Sequence, residues 1–496
     1  MNLRRENAPA VIFACIFHSL QLAPPNTSAH SMYQGSIGGV IYEENANQSG
    51  VCYLCDEGKR CASAVRTPRA NYKNGKTNEK RRLRILFGRT RNRFECGGYS
   101  AAGRRRGIGS EVGNVIYFDN AATTYPKPHA VVQALQKAAI RYGANPGRAG
   151  HTMAYKTAER VYAARTAVSD FFSLGSPENV VFTKNCTEAL NTVIFGLARR
   201  GGHFVCSDLE HNAVARPLEA LRQKGICTWS TAHIAEEDAQ TLLNFEKALR
   251  KNTVAIVCTG ASNVFGKRTP LKALADLAHK NGIPLIADAA QTAGILPISM
   301  QESGIDFLCA PGHKGLYGVM GTGILLCNCA HTLTPLTYGG TGTLSALLEQ
   351  PEAYPERLES GTLNVPGISA LEKGVAFVKT TGVSRIFAHE MHSVQKIDEG
   401  LRQMPNVLLY TDLSESLQGY VPLLSFNIRG LHSEETAAKL SEVGIAVRAG
   451  LHCAPLAHET YGTKELGTVR ICPSVFTTEK DVNSLLNSVF KIAKAV

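Results

Sequence analysis

Long hydrophobic runs are missing from this sequence of 496 residues. No apolar stretch approaches the roughly 20 residues that a membrane-spanning helix needs, so the sequence predicts no transmembrane segment. A disulfide framework is missing too, although there are 14 cysteines. Most of the later ones stand singly in apolar runs, as Cys206, Cys258, Cys309 and Cys327 do. Such cysteines are expected to be small buried hydrophobic side chains, and we expect a reducing, cytoplasmic location.

Most of the chain lacks an excess of either positive or negative residues. The net charge of +12 comes largely from residues 1–112, which carry 18 Lys and Arg against 8 Asp and Glu. The remaining residues carry 35 against 33. We expect no nucleic acid as substrate of this near-neutral body, because nucleic-acid binding depends on a basic surface. With 44% hydrophobic and 19% charged residues, the chain is typical of globular proteins, and its length predicts at least two folded units.

The basic segment 1–112 leaves several interpretations open. Its apolar run 10–17 has a weak likeness to a signal peptide. The Cys-x-x-Cys motif at 52–55, with Cys61, could belong to a metal site but lacks a fourth ligand at suitable spacing, so incidental cysteines are the alternative. The Arg- and Lys-rich tract 66–106 is predicted to be disordered. It could contact RNA or acidic partners, or the whole segment could lie upstream of the true start.

From residue 115 onward, short apolar runs alternate with helical segments. The predicted strands are continuous apolar runs, which is expected when a largely parallel sheet is covered on both faces. The sequence therefore predicts a large α/β domain over residues 115–365. A long helical stretch, further strands and two more helices then predict a smaller α+β domain over residues 366–496.

Polar side chains follow five of the predicted strands. Ligands of open parallel sheets bind at the carboxyl ends of the strands, so these residues are expected to lie together. In chain order they are Cys186 and Thr187, His211, Asn263, Asp288 with Gln291, and His313 with Lys314.

Three of these residues have a clear chemical reason to stand there. Thr187 opens a helix whose free N–H groups can bind phosphate, although an ordinary helix cap explains it equally well. The carboxylate of Asp288 at a buried strand end needs a positive partner, which a protonated pyridinium nitrogen would supply. Lys314 is, taken alone, a solvated loop lysine. Together with the other residues at these strand ends, it is suited to form a Schiff base with a carbonyl cofactor such as pyridoxal phosphate.

Together these motifs resemble the class V aminotransferase fold family, and within it the group II (SUF-type) cysteine desulfurases and selenocysteine lyases. The resemblance covers about residues 115–495. It rests on Phe118-Asp119-Asn120-Ala121-Ala122-Thr123, Cys186-Thr187-Glu188-Ala189, Glu210-His211-Asn212, Ala287-Asp288-Ala289-Ala290-Gln291, Gly312-His313-Lys314 and Arg448-Ala449-Gly450-Leu451-His452-Cys453. It implies fold type I of the PLP-dependent transferases, a homodimer and pyridoxal 5'-phosphate as the cofactor, with no metal.

The resemblance also implies roles for individual residues. Lys314 would hold the cofactor as a Schiff base and move protons at the substrate α-carbon. The other implied cofactor contacts are Asp288 on the ring nitrogen, Gln291 on the ring hydroxyl, His211 stacked on the ring, and Cys186, Thr187, His313 and Asn263, with Thr341 supplied by the partner subunit. The implied substrate contacts are Arg470, Asn263 and Arg448.

Cys453 would decide the activity. By the resemblance, its thiolate would attack the sulfur of L-cysteine, keep that sulfur as a persulfide and release L-alanine. The persulfide would then serve an acceptor protein in iron–sulfur cluster or thio-cofactor assembly. The cation of Arg448, or proton removal by His452, would raise the thiolate fraction. Lys314, Cys453, His211 and His452 are thus the expected catalytic side chains.

Two alternatives stay open, and two positions depart from the family pattern. The chain could be a selenocysteine lyase, which could take L-selenocysteine, or another class V lyase or aminotransferase. It could instead be an inactive sulfur carrier or assembly scaffold. Pro311 stands where the family commonly has Ser, which predicts a lost or replaced phosphate hydrogen bond. Leu451 stands where a second His is common.

Overall fold

The computed structural model describes residues 115–147, 150–329, 331–411, 413 and 417–496. The predictions for the first 112 residues, namely the signal-like run, the cysteine motif and the disordered basic tract, lie outside the described residues.

Strands and helices alternate through most of the described chain. The strands are β1 (Ile116–Tyr117), β2 (Val180–Thr183), β3 (Gly202–Ser207), β4 (Cys227–Ala232), β5 (Thr253–Thr259), β6 (Leu285–Asp288), β7 (Phe307–Pro311), β8 (Gly323–Cys327), β9 (Val407–Leu409), β10 (Leu424–Ile428), β11 (Ile445–Ala446), β12 (Arg448–Gly450) and β13 (Thr468–Ile471). The helices are α1 (His129–Arg141), α2 (Thr152–Phe171), α3 (Cys186–Leu197), α4 (Asn212–Gln223), α5 (Asp238–Ala248), α6 (Leu271–Lys280), α7 (Met300–Ser303), α8 (Val365–Thr381), α9 (Val383–Arg402), α10 (Ser433–Glu442), α11 (Pro455–Thr460) and α12 (Glu479–Lys494). Within the described residues, no helix is both long and apolar enough to cross a bilayer.

Seven strands form the central sheet, in the order β2-β8-β7-β6-β5-β3-β4. Strand β8 runs antiparallel to both of its neighbours, and the other six strands share one direction. Consecutive residues of β3 enter different apolar clusters, Phe204 on one face of the sheet and Val205 on the other. Both faces are therefore buried, and this explains why the strands read as continuous apolar runs. The predicted α/β class with a mostly parallel sheet is confirmed.

A second, antiparallel sheet has the order β12-β13-β10-β9. Its apolar cluster includes Val394 of α9 and Leu485 of α12. Phe118 lies in the same cluster, because β1 pairs in parallel with β11. The start of the described chain thus packs with its C-terminal part, and a bridge between Asp119 and Cys472 extends this contact. The domain limits near residue 365 stay a prediction.

The helical stretch predicted after residue 366 consists of two helices. Gly382 separates α8 from α9 with a φ of 91°, a left-handed conformation that glycine adopts at little cost. Helix α5 was not predicted, because its fully buried stripe comprises only Thr241 and Phe245.

Candidate active site

Most of the predicted site residues line one cavity of about 230 Å³ at the carboxyl ends of the central strands. Strands β5, β6 and β7 end there at Thr259, Asp288 and Pro311. The C-terminal part of the chain closes the cavity from the other side. Among the lining residues are Asn185, Cys186, Thr187, His211, Asn263, Gln291, His313, Lys314, Arg448, His452, Cys453 and Arg470.

The first turn of α3 forms one wall of this cavity. Asn185 caps the helix by accepting a hydrogen bond from the Glu188 N–H at 2.9 Å, so the helix begins at Cys186, one residue before the predicted start. The positive end of a helix and its free N–H groups favour an anion such as phosphate. The Sγ of Cys186 donates to Asp288 Oδ1 at 3.5 Å. Burial raises the pKa of Cys186 well above its usual value, so it stays a neutral thiol.

Asp288 is a buried carboxylate without an ionic partner among the described residues. It is 3% exposed, and its Oδ1 accepts a hydrogen bond from the Ala290 N–H at 2.9 Å and the one from Cys186. Its direct hydrogen bonds thus come only from neutral donors, and a buried charge without a direct ionic contact is costly. The site therefore leaves room for a cationic partner from a bound molecule; the pyridinium nitrogen expected there stays a prediction.

Lys314 lines the same cavity as Asp288 and lies just after β7. Burial lowers its pKa, and the positive charge of Arg470 lowers the pKa further. An amine that loses its proton more readily is a better nucleophile towards a carbonyl carbon. This environment suits the predicted Schiff-base lysine.

Lys127 supports the segment before Lys314 and was missed in the sequence. Its Nζ donates to the backbone O of His313 at 2.8 Å and to Thr124 Oγ1 at 2.6 Å. The hydroxyls of Thr123 and Thr124 donate to the same His313 oxygen, each at 3.1 Å. Lys127 lies just beyond the motif at residues 118–123 and its partner is 186 residues away, so no local pattern indicated this contact.

His211 is held as a neutral ring. It is the N-cap of α4, and its Nδ1 accepts a hydrogen bond from the Ala213 N–H at 3.0 Å, which leaves the ring proton on Nε2. Burial lowers the pKa of His211 to about 4. A flat, uncharged imidazole suits the predicted stacking on a cofactor ring.

Arg470 is fixed by two contacts made deep in the protein. It is 1% exposed and donates to the backbone O of Asn263 and to Asp119 Oδ1, both at 2.8 Å. The role of Asp119 was missed, because the two residues are 351 positions apart. Four buried polar atoms of residues that line the cavity lack a partner among the described residues: Arg470 Nε, Asn263 Oδ1, His313 Nδ1 and His452 Nδ1. Leaving such atoms unsatisfied costs about 1–3 kcal/mol each, so they favour a polar ligand.

The segment that carries Cys453 reaches the cavity in a constrained conformation. His452 and Cys453 have φ values of 48° and 57°, a left-handed region that is uncommon for residues other than glycine. The Asn212 N–H donates to the Cys453 carbonyl at 2.7 Å, and Asn263 Nδ2 donates to the His452 carbonyl at 2.8 Å. Cys453 itself is exposed. These bonds hold a solvent-accessible thiol at the cavity mouth.

The environment of His452 does not support the proton-accepting role expected from the sequence. His452 is buried, and its Nε2–H donates to the backbone O of Thr468 at 2.9 Å. Burial lowers its pKa to about 2, with a further contribution from Arg470. Such an imidazole binds a proton weakly, so the geometry favours a role in positioning the Cys453 segment.

Three other positions complete the comparison with the sequence. Pro311 lines the cavity as the last residue of β7, and without an N–H it offers no hydrogen bond there. Leu451 is 41% exposed and is not among the lining residues. Thr341 lines a separate cavity of about 360 Å³ with Arg165 and Glu359, so its expected role in a partner's site stays a prediction.

Comparisons with known proteins agree with this geometry. The sequence profile of the family "Aminotransferase class-V" matches residues 116–485. A probable cysteine desulfurase of Methanothermobacter thermautotrophicus is 32% identical over 389 residues, which are 76% of this chain and 94% of that protein. The apo structure of a cysteine desulfurase from Thermococcus onnurineus is 30% identical, with a TM-score of 0.71, and the match covers 77% of this chain and 95% of that one. The cysteine desulfurase CsdA of Escherichia coli is 25% identical, with a TM-score of 0.69 over the same shares. The chain therefore belongs to the class-V aminotransferase family.

Proposed function

We propose that this protein is a pyridoxal 5'-phosphate-dependent cysteine desulfurase that converts L-cysteine to L-alanine and keeps the sulfur as a persulfide on Cys453. One observation carries the proposal. Lys314 and Cys453, from distant parts of the sequence, line the same cavity, so a group held by the lysine lies within the volume that the thiol adjoins. The names of the relatives support the same reaction.

The residues around the cavity fit the proposed cofactor. The amine of Lys314 would hold its aldehyde carbon, and Asp288 would balance a positive ring nitrogen. The first turn of α3 and the orphaned His313 Nδ1 would face the phosphate. When bound there, pyridoxal phosphate supplies an electron sink for bonds that break next to the amino group of an amino acid.

The protein's own residues would then carry out the remaining tasks. Arg470 Nε and Asn263 Oδ1, both buried without partners among the described residues, would bind the carboxylate and the polar atoms of L-cysteine. The amine of Lys314 would take a proton from the α-carbon. The Cys453 thiolate would attack the sulfur of L-cysteine and form a sulfur–sulfur bond with it. The carbon–sulfur bond would break at the same time and leave its electron pair on the carbon. A proton would then add to that carbon and complete L-alanine.

The exposure of Cys453 supports onward transfer of the sulfur to an acceptor protein. A persulfide at the cavity mouth would be reachable by a second thiol without opening the fold. We also propose a homodimer. Apolar side chains are exposed on the loop that carries Thr341, namely Tyr338, Leu344, Leu347 and Leu348, and a second copy would cover them. The nine described cysteines are free thiols, which supports a reducing, cytoplasmic location.

Two labelling experiments test this function. Borohydride reduction of the cofactor-loaded protein, followed by peptide mapping, is expected to place the cofactor on Lys314. After incubation with L-cysteine, persulfide-specific alkylation is expected to mark Cys453, and neither K314A nor C453A should give that mark. An adduct on another lysine, or a persulfide that persists in C453A, would refute the proposal. Selenide release from L-selenocysteine that survives in C453A would favour a selenocysteine lyase.

A further inference from the structure

Tyr317 shapes the turn that carries Lys314. It lies three residues after the lysine, is fully buried, and has a φ of 54°. Its N–H donates to the backbone O of Lys314 at 2.8 Å, which closes the turn. A bulky aromatic residue in the left-handed region is strained, and it persists only where its surroundings hold it.

Those surroundings come largely from the C-terminal part of the chain. The Tyr317 hydroxyl donates to Glu390 Oε1 of α9 at 3.1 Å and accepts the Val475 N–H at 3.3 Å. The ring packs edge-on against Phe377, with ring centroids 5.1 Å apart. Glu390 is 2% exposed. A buried carboxyl group on α9 thus anchors the side chain that fixes the lysine turn.

We propose that Glu390 is a positioning residue for Lys314, acting through the hydroxyl of Tyr317. The chain of contacts is short: Glu390 holds the Tyr317 side chain, and the Tyr317 backbone holds the Lys314 carbonyl. Helix α9 therefore sets the orientation of a residue in the turn that follows β7 of the central sheet. The importance of that orientation for catalysis rests on the proposed function, but the contacts themselves do not.

Glu390 and Lys314 also line the same small cavity. It has a volume of about 30 Å³, and Lys314, Gln291, Cys472 and Glu390 are among the residues that line it. That volume is about the share of one water molecule in the liquid. The pKa of Cys472 is raised by burial and then by the charge of Glu390, so the thiol lies near that carboxyl group.

Glu390 holds its proton near neutrality. Burial raises its pKa to about 8, against smaller lowering effects of the hydrogen bonds from Tyr317 and the Val475 N–H. The titratable groups that face it from other elements are Tyr317 after β7, Cys472 after β13 and Lys314 across the small cavity. Loss of the proton above about pH 8 would place a buried negative charge beside them, so the reactivity of Lys314 should change in that range.

Competitive acetylation of the full chain without cofactor tests the proposal. Acetic anhydride reacts only with the unprotonated amine. Peptide mass spectrometry reports the acetylation rate of Lys314 as a function of pH. Y317F and E390L each remove one partner of the hydrogen bond and should change the Lys314 rate at pH 7 by about two- to tenfold, the factor that corresponds to one hydrogen bond. E390Q keeps an acceptor for Tyr317, so it should match the natural protein at pH 7 and lack its change near pH 8.

Two controls separate positioning from general loosening. Lys184, whose side chain is 81% exposed, should be acetylated at the same rate in every variant. V394A truncates a fully buried residue of the same helix that lies in another apolar cluster, and it should leave Lys314 unchanged. If E390L does not fold, the acetylation rate of Lys314 in Y317F tests the proposal. The proposal is overturned if Y317F and E390L leave Lys314 unchanged, or if V394A alters it equally. The readout needs no cofactor, so this failure is distinct from failure of the proposed function.

Discussion

Arg448 and Arg470 stand directly opposite each other on the antiparallel strands β12 and β13. Like charges at opposed positions destabilise a strand pair, yet both residues line the candidate active site. Burial lowers the pKa of Arg470, and Arg448 adds to that lowering, whereas Asp119 opposes it. Asp119 forms an ion pair with Arg470, and Arg448 has no such pair among the described residues. The remaining positive charge suits a substrate carboxylate.

This arrangement predicts that R470K weakens substrate binding. Lysine keeps the charge but loses the planar fork that serves Asp119, Asn263 and the substrate together. Because hydrogen bonds between charged groups contribute about 1.5–3 kcal/mol each, the KM for L-cysteine should rise about 10- to 100-fold, as measured by initial rates of alanine formation. R222K is the control, since Arg222 pairs with Glu219 on the exposed side of α4. An unchanged KM in R470K would show that Arg470 does not hold the substrate.

Local sequence patterns predicted most of the fold, because strands buried on both faces must be apolar throughout. For that reason the predicted strands 180–183, 307–310 and 323–327 match β2, β7 and β8 almost to the residue. The direction of β8 and the pairing of β1 with β11 were not predicted, since both depend on residues far apart in sequence. Gly382 could have indicated the break between α8 and α9, but a glycine inside a helical pattern is ambiguous.

The site residues were predicted by motif, and their partners were not. The sequence indicated Asp288, Lys314 and Cys453, since each follows a strand or lies in a loop with an evident chemical use. It could not indicate that Asp119 would form an ion pair with Arg470, or that the Tyr317 hydroxyl would donate a hydrogen bond to Glu390. Those contacts form only when the C-terminal part closes on the central sheet. The burial that lowers the pKa of His452 was not predicted for the same reason, and its expected role as a proton acceptor stays a prediction.

The conformation of the Cys453 segment depends on the side chain of Asn263. N263D keeps an oxygen towards the cavity but removes the donor to the His452 carbonyl. Losing one hydrogen bond next to two left-handed residues should speed amide exchange in residues 450–454 by about two- to tenfold. Hydrogen exchange with mass spectrometry measures this, and N281D, at an exposed helix end, is the control. Equal protection in N263D would mean that other contacts hold the segment.

The departure at Leu451 is expected to matter little. Its side chain is 41% exposed and lies outside the cavity lining, so a substitution there changes no group that lines the candidate site. L451H, which introduces the histidine expected there from the family resemblance, should therefore leave kcat/KM within about twofold of its original value, a change of less than about 0.5 kcal/mol in the activation free energy. Steady-state desulfurase assays measure it, with C453A as the inactive reference. A gain of tenfold or more would show that a histidine there activates the thiol, and that the position is not a neutral one.

His452 makes the stability of the protein depend on pH in a defined direction. An unfolded histidine has a pKa near 6.5, and burial lowers the pKa of His452 to about 2 in the folded protein. Between these values the unfolded chain binds more protons, so the free energy of unfolding falls as the pH falls below about 6.5. From about pH 7.5 to about pH 5 this single residue should account for a loss of about 2 kcal/mol.

The variant H452Q isolates that contribution. Glutamine does not titrate and can still donate to the Thr468 carbonyl, whereas the other histidines are common to both proteins and cancel in the comparison. Urea unfolding at the two pH values should therefore show a loss on acidification that is about 2 kcal/mol smaller in H452Q than in the natural protein. H392Q, at an exposed position of α9, should behave like the natural protein. If H452Q and the natural protein lose equal stability, then the pKa of His452 is similar in the folded and unfolded states. In that case His452 could accept a proton from Cys453.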